Sequence, residues 1–297
     1  MAVAVLLEDG KQIIAKTVIS NADPSTTYLK LVGKENISAS LAKKLSKTKY
    51  SLTSLILFLT LDLDVTKAGV DSGNIWIIRD HDMEKVFRDL TAQNILEADE
   101  FPALFMSCTT LKDPASFNGK HHNLEVVTFI DYNSLHEFNS GKDHHSLAYT
   151  KFKERIIEKF MNSIEKVIPG ARQHIVQVEL GTPKTNQFYI NSTNGNVYGT
   201  EKTFNQIGPF SFQNKTEIGN LFLCGASTLS HGVGGATYSG IAAAARILRC
   251  MPQDLLIADD NQNIRIYEAE DSATWPDWVH QKRKVRADRL KSSAVST

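Results

Sequence analysis

Residues 220–248 of the chain read NLFLCGASTLSHGVGGATYSGIAAAARIL, and this stretch decides the fold. The apolar run 220–224 has the length of a buried strand and is ended by Gly225. Gly232, Gly234 and Gly235 allow the backbone to pack where a Cβ would clash. The small residues from Ala236 onward predict a helix with little side-chain bulk. We therefore expect a short strand, a glycine-rich loop and a helix that lies close to a sheet or a ligand.

The start of such a helix is a potential anion site. Its first turn has free N–H groups and the positive end of the helix dipole, which suit a phosphate or a ring carbonyl that gains negative charge. A helix packed tightly against a sheet without any ligand would need the same small residues. The spacing alone leaves both alternatives open.

The stretch resembles the C-terminal flavin-contacting motif of the phytoene desaturase and carotenoid isomerase family, which are FAD-dependent oxidoreductases. Members of that family end with a strand, a Gly-Ala or Gly-Asp pair, a glycine-rich loop and a small-residue helix. The corresponding positions here are 221–224, Gly225-Ala226, 230–235 and the helix from Ala236. The motif is thus matched part by part.

Two further stretches agree with this resemblance in the expected order. Residues 16–24, KTVISNADP, are similar to the segment in which the family's chain returns to the FAD domain. Residues 195–199, GNVYG, match a loop beside the flavin ring more weakly. Together the matches extend from Val3 to about Met251.

The resemblance implies a mixed α/β (α+β) fold with FAD as cofactor. An antiparallel-sheet substrate domain with helices would accompany the C-terminal strand-loop-helix of a Rossmann-like FAD-binding domain. The residues expected to contact FAD are Ser20, Asn21, Ala22, Gly225, Ala226, His231, Gly232, Val233, Gly234, Gly235 and Ala236. His231 and Tyr198 are catalytic candidates, although a structural role is an equal alternative for each, and no acid–base pair stands out.

One departure from the family concerns the start of the chain. The family begins with a strand-GxGxxG-helix unit that binds the ADP diphosphate, and this sequence has no such fingerprint. It opens on two apolar runs around Asp9-Gly10, which predict a hairpin with a type I′ turn. We expect the C-terminal portion of a larger enzyme, present as a fragment, a split gene product or one of two pieces. A missing N-terminal FAD-binding half would be its partner, and an unpaired sheet edge would lower its solubility.

The predicted organisation has four parts. A hairpin and a strand returning to the FAD domain occupy 1–24, a substrate-binding domain 25–194, the C-terminal part of the FAD-binding domain 195–252, and a tail 253–297. In the substrate domain, strands are expected at 51–61, 75–78, 104–109, 124–130 and 174–180, a short helix within 82–96, and a long helix at 146–167. The strand 51–61 is apolar enough to face the interior on much of both sides. The side chains of this strand and the apolar face of the long helix 146–167 form a packed core or, alternatively, line a tunnel for a polyene.

Composition excludes several classes of protein. Lys+Arg and Asp+Glu are both 33, so no overall charge favours nucleic acid. No apolar run approaches the length of a membrane span. The three cysteines share no CxxC spacing, and the N-terminus resembles no signal peptide, so we expect a cytoplasmic protein. The basic segment 282–289 leaves peripheral membrane contact open.

Other site chemistries find little support. The adjacent histidine pairs 121–122 and 144–145 lack ligands at metal-binding spacing, so no metal is expected. The sequence has neither a G-x-S-x-G elbow nor a P-loop. The predicted function is that of an FAD-dependent oxidoreductase that desaturates, saturates or isomerises a hydrophobic polyene-like substrate. The alternative is a non-catalytic binding or regulatory module, or a truncated relic without FAD.

Overall fold

The chain forms two compact units. A computed structural model describes residues 1–138, 146–256, 272–282 and 284–285. Within these, the first unit consists of Met1–Thr53 and 183–256, and the second consists of the described residues of Ser54–Thr182 together with 272–282 and 284–285. The pair His144-His145 and most of the basic segment 282–289 lie outside the described residues. The four-part organisation predicted from the sequence stays a prediction.

The described residues form a mixed set of helices and strands. The strands are β1 Ala4–Leu6, β2 Gln12–Ile14, β3 Val18–Ser20, β4 Thr53–Leu61, β5 Asn74–Ile78, β6 Ala103–Cys108, β7 His122–Ile130, β8 Ile175–Gly181 and β9 Leu221–Leu223. The helices are α1 Ala39–Lys47, α2 Met83–Leu90, α3 Thr109–Lys112, α4 Leu147–Val167, α5 Pro183–Ile190 and α6 Gly232–Leu248. Short 3₁₀ turns and a π-helix, Thr26–Gly33, connect them.

In the first unit, β3 and β9 pair in parallel although they are far apart in sequence. Val18 lies opposite Leu221 and Ser20 opposite Leu223. A small core of Tyr28, Leu45, Phe212, Leu221 and Leu223 covers the pair. Because parallel strands end at the same edge, the residues after β3 and those after β9 are brought together.

The predicted hairpin is present, but the predicted turn type is wrong. β1 and β2 pair antiparallel, with Val5 opposite Ile13. Gly10 has φ of 83°, whereas Asp9 does not have the positive φ that a type I′ turn requires. Instead, Gly10 N donates to Leu7 O, and Asp9 Oδ1 accepts from Lys11 N at 2.9 Å. The side chain of Asp9 thus closes the turn.

The second unit is built on a five-stranded sheet in the order β5-β6-β7-β4-β8. The pairs β5–β6, β6–β7 and β4–β8 are antiparallel, as predicted for this domain. Strand β4 agrees with the expectation that much of both its faces lies in the interior. Leu55, Leu57, Leu59 and Leu61 are buried on one face. On the other face Ser54 is buried and Ile56 half-buried, whereas Phe58 is exposed.

The long helix α4 closes the core of the second unit. Its N-cap Ser146 accepts a hydrogen bond from Tyr149 N at 3.2 Å. The apolar stripe of Phe152, Ile156 and Phe160 packs into the same core as the inner face of β4. These side chains belong to one continuous buried cluster, as the packed-core interpretation predicts.

Candidate functional site

The ends of β3 and β9 bring together the first group of predicted flavin contacts. Cys224 N donates to Ser20 O at 3.0 Å, so Asn21-Ala22 and Gly225-Ala226 leave the sheet side by side. Gly225 has φ of 96°, and a methyl group at its Cα would overlap Asn21 Oδ1. Glycine is therefore required at this position. Ligands of open α/β sheets bind beyond such carboxyl ends of strands.

The Ser20 hydroxyl is already used within the protein. Ser20 is buried, and its Oγ lies 2.7 Å from Thr27 Oγ1. Thr27 Oγ1 also donates to Ala22 O at 3.2 Å. Any contact of this segment with a ligand would therefore come from its backbone and from Asn21, which is exposed.

A buried hydroxyl cluster fixes the loop after β9 to helix α6. Ser239 Oγ accepts from Gly225 N at 2.9 Å and lies 2.5 Å from Thr228 Oγ1. Thr228 Oγ1 donates to Gly225 O at 2.9 Å. Asn214 Nδ2 completes the cluster by donating to Leu223 O at 2.9 Å. Sequence reasoning missed these residues and treated Ser239 only as a small helix residue.

Helix α6 begins at Gly232, four residues earlier than the small-residue run from Ala236 predicts. His231 is the N-cap residue, but its side chain makes no capping hydrogen bond, and no acidic residue lies in the first turn. Val233 is 88% exposed. The first-turn N–H groups and the positive end of the dipole are therefore open to a ligand.

Three glycines of the same helix are uncrowded. Neither Gly232, Gly234 nor Gly240 has an atom within 4 Å of the position that a Cβ would occupy. Gly235 differs, because a Cβ there would lie 2.7 Å from the backbone carbon of Ser230. The open glycines leave room for a flat ring, while Gly235 packs the loop onto the helix.

The two catalytic candidates are in contact. The rings of Tyr198 and His231 have centroids 4.8 Å apart and planes at 42°. Next to Tyr198, Gly199 has φ of 73° and packs closely on the loop after β9. A Cβ at Gly199 would lie 2.6 Å from Ser227 Oγ and 2.9 Å from Ala226 C. The glycine-rich stretch 195–199 thus packs directly on the loop after β9.

A second network that sequence reasoning missed fixes the segment after β3. Asp23 accepts hydrogen bonds from Thr26 N at 2.9 Å and from both Thr193 N and Thr193 Oγ1, at 2.5 and 3.0 Å. Tyr50 donates to Ser25 Oγ at 2.8 Å. Burial and the Asp23 charge raise the pKa of Tyr50 to about 12, so its hydroxyl stays protonated as a donor.

The second unit carries an apolar groove on the outer face of its sheet. A cavity of about 220 Å³ lies between β5, β6, β7 and α2, and every residue that lines it is apolar. Trp76 and Phe87 are each 59% exposed there. Trp76 contacts Phe105 edge-to-face at 5.0 Å. An exposed apolar surface of this kind is typical of a binding site.

The described residues hold neither a metal-binding cluster nor a membrane-spanning helix. No group of three or more His, Cys, Asp or Glu side chains there is arranged to hold a metal ion. No helix in this part of the chain is long and apolar enough to cross a membrane.

Parallel strands that end beside an open, glycine-lined helix N-terminus define a site of the dinucleotide or flavin class. The model of the family described as flavin containing amine oxidoreductase matches residues 2–248. The chain belongs to this family.

Similar proteins include enzymes of polyene chemistry. All-trans-retinol 13,14-reductase from Danio rerio is 27% identical over 267 residues, which cover 82% of this chain and 44% of that protein. Prolycopene isomerase 2, chloroplastic, from an Oncidium hybrid cultivar is 30% identical over 253 residues, which cover 83% of this chain and 39% of that protein. The solved structure of an oxidoreductase from Methanosarcina mazei has a TM-score of 0.47 at 14% identity. The match covers 83% of this chain and 46% of that one. The chain thus spans less than half the length of these relatives.

Proposed function

We propose that this chain supplies the flavin-ring end of the FAD site and a substrate surface of an FAD-dependent oxidoreductase. The observation that carries the proposal is the open start of α6, where exposed N–H groups, a positive dipole end and uncrowded glycines lie beside the strand ends. Bound FAD would supply the exchange of hydride or electrons. The N–H groups of Gly232, Val233 and Gly234 would stabilise negative charge at the ring.

The other residues of the site have positioning roles in this proposal. Asn21, Ala22, Gly225 and Ala226 would pack along the cofactor where the strands end. The Tyr198–His231 ring pair lies at the N-cap of the helix and would contact the ring or the substrate. The cluster around Ser239 would keep the loop fixed while charge on the ring changes.

A hydrophobic polyene is the proposed substrate class, to be desaturated, saturated or isomerised. The support is the groove beside Trp76 and Phe87, which has only apolar residues along its walls. The relatives named above are, by their names, a retinol reductase and a prolycopene isomerase. We further propose that an N-terminal FAD-binding half, on the same or on another polypeptide, holds the ADP end of FAD. A cytoplasmic location, with contact to a membrane surface, is part of the same proposal.

The cofactor proposal is tested by titrating the purified chain with FAD and following the visible flavin absorption. Val233→Glu places a carboxylate among the first-turn N–H groups, whereas Val233→Gln has the same shape without the charge. We expect Val233→Glu to weaken FAD binding and Val233→Gln to leave it unchanged. A glutamate there stabilises a helix by about 0.3–1 kcal/mol, so lost binding would not reflect unfolding. Equal binding by both variants would contradict the assignment. No binding by any form would mean either that the FAD site needs the N-terminal half or that the chain is a module without FAD.

The substrate proposal needs its own measurement. Retinol binding can be followed by its fluorescence, with Phe87→Gln as the groove variant. Phe188→Gln is the matched control, because Phe188 is also exposed but lies in the first unit, outside the groove. We expect only Phe87→Gln to lower the affinity for retinol. An equal loss in both variants would show that retinol binds non-specifically to exposed rings.

A further inference from the structure

A cleft of about 390 Å³ lies in the first unit, between the end of α1 and residues 200–212. Three lysines line it, Lys44, Lys47 and Lys49, and no residue of its lining is acidic. None of the predicted flavin contacts belongs to the lining. The cleft is therefore a separate feature with a concentration of positive charge.

Several donors in the cleft are unused. In the described part of the chain, the side chains of Lys47, Lys49, Thr203 and Asn205 have no hydrogen-bond or ion-pair partner. All four line the same cleft. Two lysines, a threonine and an asparagine thus line one cleft without an internal acceptor for their side-chain donors. Such a set suits an oxyanion with several oxygen atoms better than a single carbonyl.

The wall that carries these donors is held in place. Lys49 N donates to Gln206 Oε1 at 2.8 Å, and Gln206 Nε2 donates back to Lys49 O at 3.0 Å. The carbonyls at the end of α1 would repel an anion, but Thr48 covers two of them, through Thr48 N to Leu45 O and Thr48 Oγ1 to Lys44 O. The cleft thus needs little rearrangement to bind an anion.

Lys44 adds a partly buried charge. Its Nζ donates to Ser211 O at 2.8 Å and lies 4.3 Å from the centre of the Phe212 ring. Burial lowers the pKa of Lys44, and the lining of the cleft holds no carboxylate that would offset this effect. A bound anion would supply that compensation.

Aromatic side chains border the same cleft. Phe210, which is 55% exposed, lines it, and Phe204, 80% exposed, lies 6.3 Å from Phe210 between ring centroids. The lysines suit an anionic group, and the exposed rings beside them suit an apolar part attached to that group. We propose that the cleft binds a phosphate group, carried either by a small phosphorylated molecule or by the headgroup of an anionic phospholipid.

The test uses the full chain and two probes. Inorganic phosphate is titrated at constant ionic strength with thermal unfolding as readout, and vesicles of phosphatidylcholine with or without phosphatidic acid are tested by flotation. The variant is Lys47→Glu with Lys49→Glu. Lys43→Glu is the control, because Lys43 is exposed on the same helix but does not line the cleft. We expect the double variant to bind about tenfold more weakly and the control to bind like the wild type.

The two probes separate the sources of the phosphate. Saturable binding of inorganic phosphate that the double variant loses would support a free phosphorylated ligand. Binding only to vesicles with phosphatidic acid, lost in the double variant and lowered by Phe210→Ala, would support the headgroup. No binding of either probe, or an equal loss in Lys43→Glu, would overturn the proposal. The double variant should bind FAD like the wild type, because none of the predicted flavin contacts lines the cleft. FAD titration of this variant therefore tests the cleft separately from the proposed function.

Discussion

Lys159 is the residue whose charge is least compatible with its surroundings. It is only 5% exposed, within the core of the second unit. Its Nζ donates to Ile95 O at 3.1 Å and to Leu96 O at 2.7 Å. Burial, with a smaller effect of the Arg155 charge, lowers its pKa to about 8 from 10.5. The lysine therefore fixes the turn after α2 but carries a desolvation cost at neutral pH.

The lowered pKa of Lys159 predicts that the difference in unfolding free energy between the wild type and Lys159→Met depends on pH. Between pH 8 and 10.5 the unfolded chain keeps the Lys159 proton while the folded chain has released it. The unfolded state binds more protons, so the stability of the wild type relative to Lys159→Met should rise with pH through this window, by up to roughly 3 kcal/mol. Urea unfolding at several pH values measures the difference. A difference that is constant with pH would show that the lysine is not perturbed.

At the same scale, sequence could identify some site residues and not others. Gly225 was named because it ends the apolar run 220–224 and matches a glycine of the family motif, and its φ of 96° requires a glycine. Ser239 was not found, because a serine among alanines indicates only small size. Its hydrogen bond to Gly225 N spans fourteen residues and exists only after the helix has packed on the loop. Side-chain partners across such distances leave no local pattern.

For the element α6, adjacent glycines offer a matched comparison. A Cβ at Gly235 would lie 2.7 Å from Ser230 C and 2.8 Å from Ser230 O, whereas a Cβ at Gly234 would meet nothing within 4 Å. Gly235→Ala should therefore destabilise the chain by about 1–3 kcal/mol. Gly234→Ala should be neutral or stabilise it by up to about 1 kcal/mol, since alanine favours helix.

Chemical unfolding of the two variants decides this prediction, and FAD titration adds a functional readout. If Gly235→Ala is as stable as Gly234→Ala, the loop does not pack on the helix as described. The start of α6 also shows a limit of sequence analysis. Glycines indicate a loop by propensity, but here the packing of the loop on the helix outweighs that preference, so the helix begins at Gly232.

For the whole molecule, the two units should differ in local stability. The core of the first unit is a small cluster around Tyr28 and Phe212, whereas the second unit buries β4 and α4 in an extensive core. Hydrogen exchange should therefore be faster in β3 and β9 than in β4 and α4. Added FAD should slow exchange in the first unit if it binds there. Equal protection in both units would contradict this reading of the cores.

At this scale, periodicity predicted the second unit well, because β4 to β8 and α4 each carry their own apolar pattern. The first unit was harder to predict from the residues alone. Its strands β3 and β9 have only three residues each, and their pairing depends on segments far apart in the chain. The resemblance to a family assigned both segments to the FAD domain, but it did not predict that Val18 pairs with Leu221.

That pairing has a consequence for synthesis on the ribosome. When Val18 leaves the exit tunnel, its partner Leu221 has still to be translated. At about 5–20 residues per second, the roughly two hundred intervening residues take about 10–40 s. The strands that form the sheet of the second unit all emerge within this interval, so that sheet can assemble while β3 still waits for its partner. In a nascent chain β3 thus stays without its partner strand until Leu221 has been translated.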